Sequence, residues 1–398
     1  MATLTVTSTA DSGSGSLRQA ISDATNGDTI IFDATTFPAN TETTIDLSSS
    51  ISVNKRVTID GGDTWTENGE LKTRVILDGQ GDSSYRLLTA TTQTGTDVLN
   101  IKSITFYNGG GVGVQKTYTT FDSCVFKNNY LNQGGGLAVN YTALNTIINN
   151  CVFNTCNAAQ GGGVYCYSSA NFTLNNCVFK NCKATGSGSC LYVTTSAAPT
   201  INNCTFERAS DSTAFSINLN NTTGTNTIHG ENTVDYLNVA NGATVTFDGV
   251  DAVLAVTDTL TDAGATFQAS TDSTGYLALY DGANVPTVGN GVKTATYGAG
   301  LEAFSIAADG ASWTAENLST AILIEKQNGS SWETLTNSAT GGEYETTFVN
   351  GDVARAFDGV RFIEAELSKD AVVSVFGSDW ADVARYALGI KTNPDTPL

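Results

Sequence analysis

The sequence predicts an all-β fold: a right-handed parallel β-helix (solenoid) with an N-terminal helical cap and a small C-terminal antiparallel β domain. Three observations carry this. A Cys-x-Phe triplet recurs as Cys124-Val125-Phe126, Cys151-Val152-Phe153, Cys177-Val178-Phe179 and Cys204-Thr205-Phe206, at offsets of 27, 26 and 27. A fixed period of this length marks stacked repeats. The triplets alternate with a second apolar strand led by glycine: Gly134-Gly135-Gly136-Leu137-Ala138-Val139 and Gly161-Gly162-Gly163-Val164-Tyr165-Cys166, with a looser copy at Gly188-Ser189-Cys190-Leu191-Tyr192-Val193. Only 15% of residues are charged and glycine totals 40, which disfavours helix and favours strands joined by tight turns.

Period two fixes the faces of each strand. In Cys-x-Phe the first and third residues face one way, so Phe126, Phe153, Phe179 and Phe206 form an inward ladder beside Cys124, Cys151, Cys177 and Cys204. The middle residues Val125, Val152, Val178 and Thr205 face out. The second strand buries Leu137, Val164 and Leu191 and turns Ala138, Tyr165 and Tyr192 outward, with Asn218 after them. Winding such a chain stacks equivalent residues about 4.8 Å apart, the strand spacing. Glycine runs and asparagine supply the left-handed backbone of tight corners. An Asn pair precedes each of the last three triplets, and Asn150, Asn176 and Asn203 are expected to form an internal amide ladder.

All eight cysteines lie between Cys124 and Cys204. Spacings such as Cys151-x4-Cys156 and Cys177-x4-Cys182 faintly resemble a metal site, and stacked coils come close enough for disulfides. The inward register favours buried thiols acting as small core residues.

The ends follow from the need to cover terminal coils. Residues 1–34 read as a strand and a cap: Ser16 N-caps a short helix, Leu17 to Ala24, whose Leu17, Ala20, Ile21 and Ala24 form one apolar stripe. Residues 35–302 form the β-helix, roughly ten coils. Residues 303–368 change texture into alternating strands with hairpin turns at Asn328-Gly329 and Gly341-Gly342, a small sandwich-like domain. Residues 369–398 form a tail with a helix over Trp380 to Gly389. Met1 runs straight into a strand, so we expect a mature fragment with an added start methionine, and the abrupt end at Leu398 leaves room for a longer natural chain.

Lys plus Arg total 19 against 39 acids, for a net charge of −20. That excludes nucleic acid and anionic membrane surfaces as partners, since both need a basic face. No stretch is apolar enough for a helix to insert in a membrane. The run Leu4-Thr5-Val6-Thr7-Ser8, Gly15-Ser16-Leu17-Arg18-Gln19-Ala20-Ile21 and Asn26-Gly27-Asp28-Thr29-Ile30 resembles the cap of large bacterial β-helix surface proteins. Phe126-Lys127-Asn128-Asn129 with Gly134 to Leu137, and Phe179-Lys180-Asn181 with Gly186 to Leu191, resemble the Phe-x-x-Asn and Gly-Gly-Ala-Ile repeats of polymorphic outer membrane proteins. The resemblance covers about residues 4 to 210. Phe153-Asn154-Thr155-Cys156 and Phe206-Glu207-Arg208-Ala209 depart from it. It implies a secreted or cell-surface, adhesin-like protein of bacterial type, in an extracellular setting.

The aligned outward residues contain no acid, and hydrolysis of glycosides needs two carboxylates. We therefore expect a non-enzymatic protein, serving adhesion, ligand contact or assembly, whose partner is a glycan, a protein surface or further copies of itself. The rival reading is a polysaccharide-active lyase or hydrolase with its site in the irregular coils between residues 40 and 110 or after 205. No cofactor is expected. Calcium is the one candidate, at the early acids Asp60, Asp63, Asp78 and Asp82, although turn aspartates usually just form turns. The lone histidine, His229, sits at a turn. The expected ligand-binding residues are the outward tyrosines Tyr165 and Tyr192, with Tyr167 and Tyr141 nearby, because aromatic faces grip sugars or protein partners. Tyrosine stacks also stabilise parallel sheets by themselves.

Overall fold

The computed structural model describes residues 1–91, 98–115, 118–140, 145–167, 171–249, 252–280 and 286–297, and beyond these the strands between 303 and 376. The chain is a parallel β-solenoid of about 10 turns. It divides into two units, Met1–Thr246 with Thr261–Phe267, and Phe247–Leu260 with Gln268–Leu398.

In the first unit each regular coil contributes three strands. One face stacks Tyr118–Asp122, Asn145–Asn149, Asn171–Asn175 and Ala198–Asn202. The next stacks Ile104–Tyr107, Val125–Lys127, Val152–Asn154 and the start of Val178–Ser187, then Thr205–Arg208. The third stacks Val112–Val114, Leu137–Val139, Val164–Cys166 and Leu191–Thr195. All these pairings are parallel and in the register expected from the triplets, Phe126 against Phe153 and Phe153 against Phe179.

The corners explain why the register holds. Entering the Phe strand, Ser103, Ser123, Asn150, Asn176 and Asn203 adopt φ of 54°, 54°, 54°, 52° and 52°. Leaving it, Asn108, Asn128, Thr155 and Asn181 lie at 53° to 56°. Asparagine tolerates this left-handed region better than other side chains. Thr155 adopts it although a β-branched residue is ill suited to it.

Inside, five phenylalanines stack rather than four. Phe106 joins Phe126 at 5.1 Å, and the Phe126–Phe153, Phe153–Phe179 and Phe179–Phe206 centroids are 4.5, 4.5 and 4.7 Å apart. That spacing is the strand spacing, so backbone and ring stack share one period.

All eight cysteines are buried thiols. They do more than fill space. The Cys124 amide donates to Cys151 Sγ at 3.3 Å and the Cys177 amide to Cys204 Sγ at 3.4 Å. Where the next coil has no cysteine, Asn232 Oδ1 accepts from the Cys204 amide at 2.9 Å. A second column shows the same exchange. Asn129 Nδ2 donates to the Phe106 carbonyl, while Cys156 Sγ donates to that of Phe126 and Cys182 Sγ to that of Phe153. Burial pushes the Cys151, Cys156, Cys166, Cys177 and Cys190 thiols well up, so they stay protonated.

The amide ladder requires a correction. Asn150, Asn176 and Asn203 are exposed rather than internal. In the left-handed corner their side chains turn out, and the following cysteine takes the inner position. Asn176 Nδ2 donates to Asn150 Oδ1 at 3.1 Å and Asn150 Nδ2 to Asp122 Oδ1 at 3.0 Å, while Asn203 Oδ1 accepts from the Glu231 amide. A parallel ladder, unforeseen, runs from Asn202 to Asn175 to Asn149.

The cap is as expected. Ser16 accepts from the Gln19 amide at the start of the helix Leu17–Asp23, which buries Leu17, Ala20 and Ile21. Lys55 Nζ donates to the Ile21 carbonyl, placing a cation at the helix C-terminus. The second unit contains the parallel pairs Ala252–Asp262 with Gly275–Tyr280, and Gly275–Tyr280 with Val292–Tyr297. It also contains two four-stranded antiparallel sheets. The expected turn at Asn328-Gly329 joins Leu323–Asn328 to Ser331–Thr334. Ala371–Phe376 pairs with both Ala303–Ala308 and Tyr344–Phe348, so strands continue past the expected limit at residue 368. Its run of valines is itself a strand former. The Gly341-Gly342 turn and the helix expected over Trp380 to Gly389 lie outside the described residues.

Two substitutions test the column geometry. Phe153→Ala, which cuts the ring stack at its centre, is expected to cost about 3–5 kcal/mol. Asn176→Val, which forces a β-branched residue into the left-handed corner, is expected to cost about 1–2 kcal/mol while Asn176→Gly is nearly neutral. Urea midpoints of the variants check both.

Candidate ligand groove

The structure gathers three of the four expected tyrosines but does not leave them open. The Tyr165 ring lies 6.0 Å from Tyr167 and 5.8 Å from Tyr192. Tyr165 is only 3% exposed and Tyr192 8%, and their neighbour Ala138 is 2% exposed. Tyr167, at 42%, is the open member; Tyr141 lies outside the described residues. The period-two assignment holds, yet outward does not mean solvated here. Gln133 Nε2 donates to Tyr165 Oη and Asn220 Nδ2 to Tyr192 Oη. Burial pushes the Tyr165 phenol up to about 12. On the same face Arg86 lies across the strands, donating to the carbonyls of Gly110, Val112, Gln133 and Gly134. Its stem lies 3.1 Å from where a Cβ at residue 113 would stand, so Gly113 gives it room. Burial lowers Arg86 to about 10. Tyr165 and Tyr192 are therefore packed into this outer face, while Tyr167 keeps an open ring.

The open site lies on the neighbouring face. Thr64–Glu67 and Glu70–Thr73 form an antiparallel hairpin. Asn68 and Gly69, at φ 51° and 76°, make the two-residue turn. Asn-Gly between strand formers is the strongest short hairpin signal, and it was available in the sequence at Thr64-Trp65-Thr66-Glu67-Asn68-Gly69-Glu70-Leu71-Lys72-Thr73. The hairpin leaves the coil at Thr73, whose hydroxyl bonds that of Thr105 at 2.7 Å, both buried. From there it arches over the outer side of the Phe strands.

Between hairpin and coil lies a groove of about 250 Å³. Its floor is the outward column Thr105, Val125, Val152 and Val178. Exposure rises along the floor, from 5% at Val125 under the hairpin to 39% at Val178. One wall is the adjoining column Lys127, Asn154 and Lys180; the other is Glu70, Leu71 and Lys72, with Glu42 at the rim.

Glu70 is the electrostatic centre. Its Oε2 lies 3.5 Å from Lys127 Nζ and 3.9 Å from Lys72, and its Oε1 lies 3.6 Å from Lys180. Lys127 foremost, with Lys180 and Lys72, holds its carboxyl below the usual range despite partial burial. Lys72 also reaches Glu42 at 3.4 Å, so two carboxylates share one ammonium.

The early acids do not join this site. Asp60, Asp78 and Asp82 each accept the amide two residues on, from Gly62, Gln80 and Ser84. They are turn formers, and among the described residues no three metal-ligating side chains come together. His229 sits in register with Asn202 at a coil corner, away from the groove.

Comparison with known proteins supports the fold. A family model described as "Right handed beta helix region" matches residues 90–252. Among solved structures, ORF18 of Geobacillus virus E2 aligns at 13% identity over 94% of this chain and 76% of its own, with a TM-score of 0.40. The pectate lyase Pel9A aligns at 12% identity over 74% and 78%, with a TM-score of 0.39. Likenesses this weak carry no argument, and the fold rests on the family match and the strand register. No curated protein matches the chain.

The Glu70 contacts make the hairpin acid-sensitive. A carboxyl lowered by folding adds stability above its unfolded pKa, and this is lost as pH falls through the folded one. With Trp313, Trp332 and Trp380 changed to Phe, emission from Trp65 is expected to shift as pH falls below the usual carboxylate range. Glu70→Gln is expected to abolish that shift.

Proposed function

We propose that the protein is a non-enzymatic binding scaffold that holds an extended ligand, a glycan, in the groove between the hairpin and the coil. We further propose that it works outside the cell or on its surface, as its repeat resemblance implies. The observation that carries the binding reading is the groove's composition. A flat floor of Val and Thr lies beside lysines two coils apart. Such a surface offers apolar contact to a sugar face and charge to its substituents, with exposure of Val178 leaving one end open.

The enzyme reading keeps one specific observation, the Glu42–Glu70 pair around Lys72. Glycoside hydrolysis needs a carboxylic acid that retains its proton near neutral pH. Glu70 is shifted the other way by its lysines, which suits holding charge rather than donating a proton.

A glycan array paired with a reducing-sugar screen on the intact chain separates the two. The expected outcome is binding without new reducing ends, weakened at least ~tenfold by Val178→Glu, since an apolar contact is replaced by a carboxylate beside the lysines. Release of reducing ends that Glu42→Gln or Glu70→Gln abolishes would overturn the binding reading in favour of catalysis.

A further inference from the structure

We infer that the groove's ligand is an acidic glycan whose anionic group takes the place that Glu70 occupies between Lys127 and Lys180. This rests on the binding reading above and names its ligand class.

Three features lead there. The chain carries only 19 basic residues against 39 acids, yet three lysines from separate strands converge on one carboxylate. Lys127 and Lys180 occupy one column with Asn154 between them, so their backbone positions are about 9.6 Å apart, two strand spacings. Glu70 bridges them with one oxygen each. A carboxylate is thus already seated where two regularly spaced cations meet, and it is carried by a hairpin rather than by the coil itself. These ion pairs are half-exposed: the side chains of Lys127, Lys180 and Glu70 are 34%, 29% and 37% exposed. Half-exposed pairs of this kind are weak and exchangeable.

The floor argues for sugar over peptide. An extended peptide gains main-chain hydrogen bonds to a sheet at a free strand edge. The floor strands have none, because each is paired on both sides within the coil stack. A saccharide needs only the apolar column and the lysines beside it. The net charge of −20 does not forbid an anionic ligand at close range, because charges beyond about 8–10 Å are screened at physiological salt.

Calorimetric titration of the intact protein tests this, with oligogalacturonate, dextran sulfate, a neutral cello-oligosaccharide and poly-L-glutamate as probes. Oligogalacturonate or dextran sulfate is expected to bind, with affinity falling as salt rises; which of the two binds tells carboxylate from sulfate. Glu70→Gln is expected to tighten that binding about fivefold by removing the internal competitor, and Lys127→Ala with Lys180→Ala to weaken it at least ~tenfold. Circular dichroism confirms that each variant keeps its coils. Unchanged or weaker binding in Glu70→Gln, or poly-L-glutamate binding as well as the acidic sugars, overturns the inference. Cello-oligosaccharide binding that Val178→Glu abolishes and the lysine variants leave alone also overturns it, while sparing the binding reading. Failure of every sugar to bind, or cleavage of one, removes both.

Discussion

Each side chain in a solenoid coil must meet its equivalent one strand spacing further along the axis. Everything else in the first unit answers to that demand. The Phe106 to Phe206 rings satisfy it because aromatic stacking and parallel pairing have nearly the same period. The left-handed corners at Asn150, Asn176 and Asn203 satisfy it by turning the chain at the same point in every coil. The thiol columns satisfy it chemically, since Cys151 and Cys204 accept an amide that would otherwise stay buried without a partner. Cysteine and asparagine exchange in these columns because each presents a small group with a donor and an acceptor.

The same stacking acts on the outer surface. Outward residues form columns too, and a column becomes a site only where something else frames it. On the third face Gln133, Tyr167 and Tyr192 pack against Tyr165, leaving little ring surface for a ligand. On the Phe face a hairpin inserted before the regular coils arches over Val125 and leaves Val178 open. The lysines of the wall stand two coils apart in one column, whereas Glu70, which draws them together, comes from outside the repeat. The groove therefore arises where a regular surface meets an irregular insertion.

This division explains what the sequence revealed. The Cys-x-Phe ladder, the Ser16-capped helix and the Gly329 hairpin were legible because each depends on local period or local turn chemistry. Outward placement of Tyr165 and Tyr192 was legible as well; their burial was not, because it depends on what packs over the sheet. Inner or outer placement of Asn150 and Asn176 turned on a corner geometry that spacing alone does not specify. The Glu70 site was hidden for another reason. Its lysines sit one residue after the Phe ladder and its carboxylate lies more than 50 residues earlier, joined only by the arch of a hairpin. The Asn68-Gly69 turn announced that hairpin, but nothing local announced where it would lie.

Hydrogen exchange at neutral pH tests most directly whether the hairpin is a fixed wall of the groove. The amides of Thr64–Glu67 and Glu70–Thr73 are expected to be protected in the native protein. Their protection is expected to fall only modestly, by up to about tenfold, in a Lys127→Ala, Lys180→Ala variant whose coil strands stay protected throughout, because the two ion pairs are weak and the hairpin keeps its own ladder. Hairpin amides that exchange freely in the native protein, or that ignore the loss of both lysines, would contradict a fixed wall.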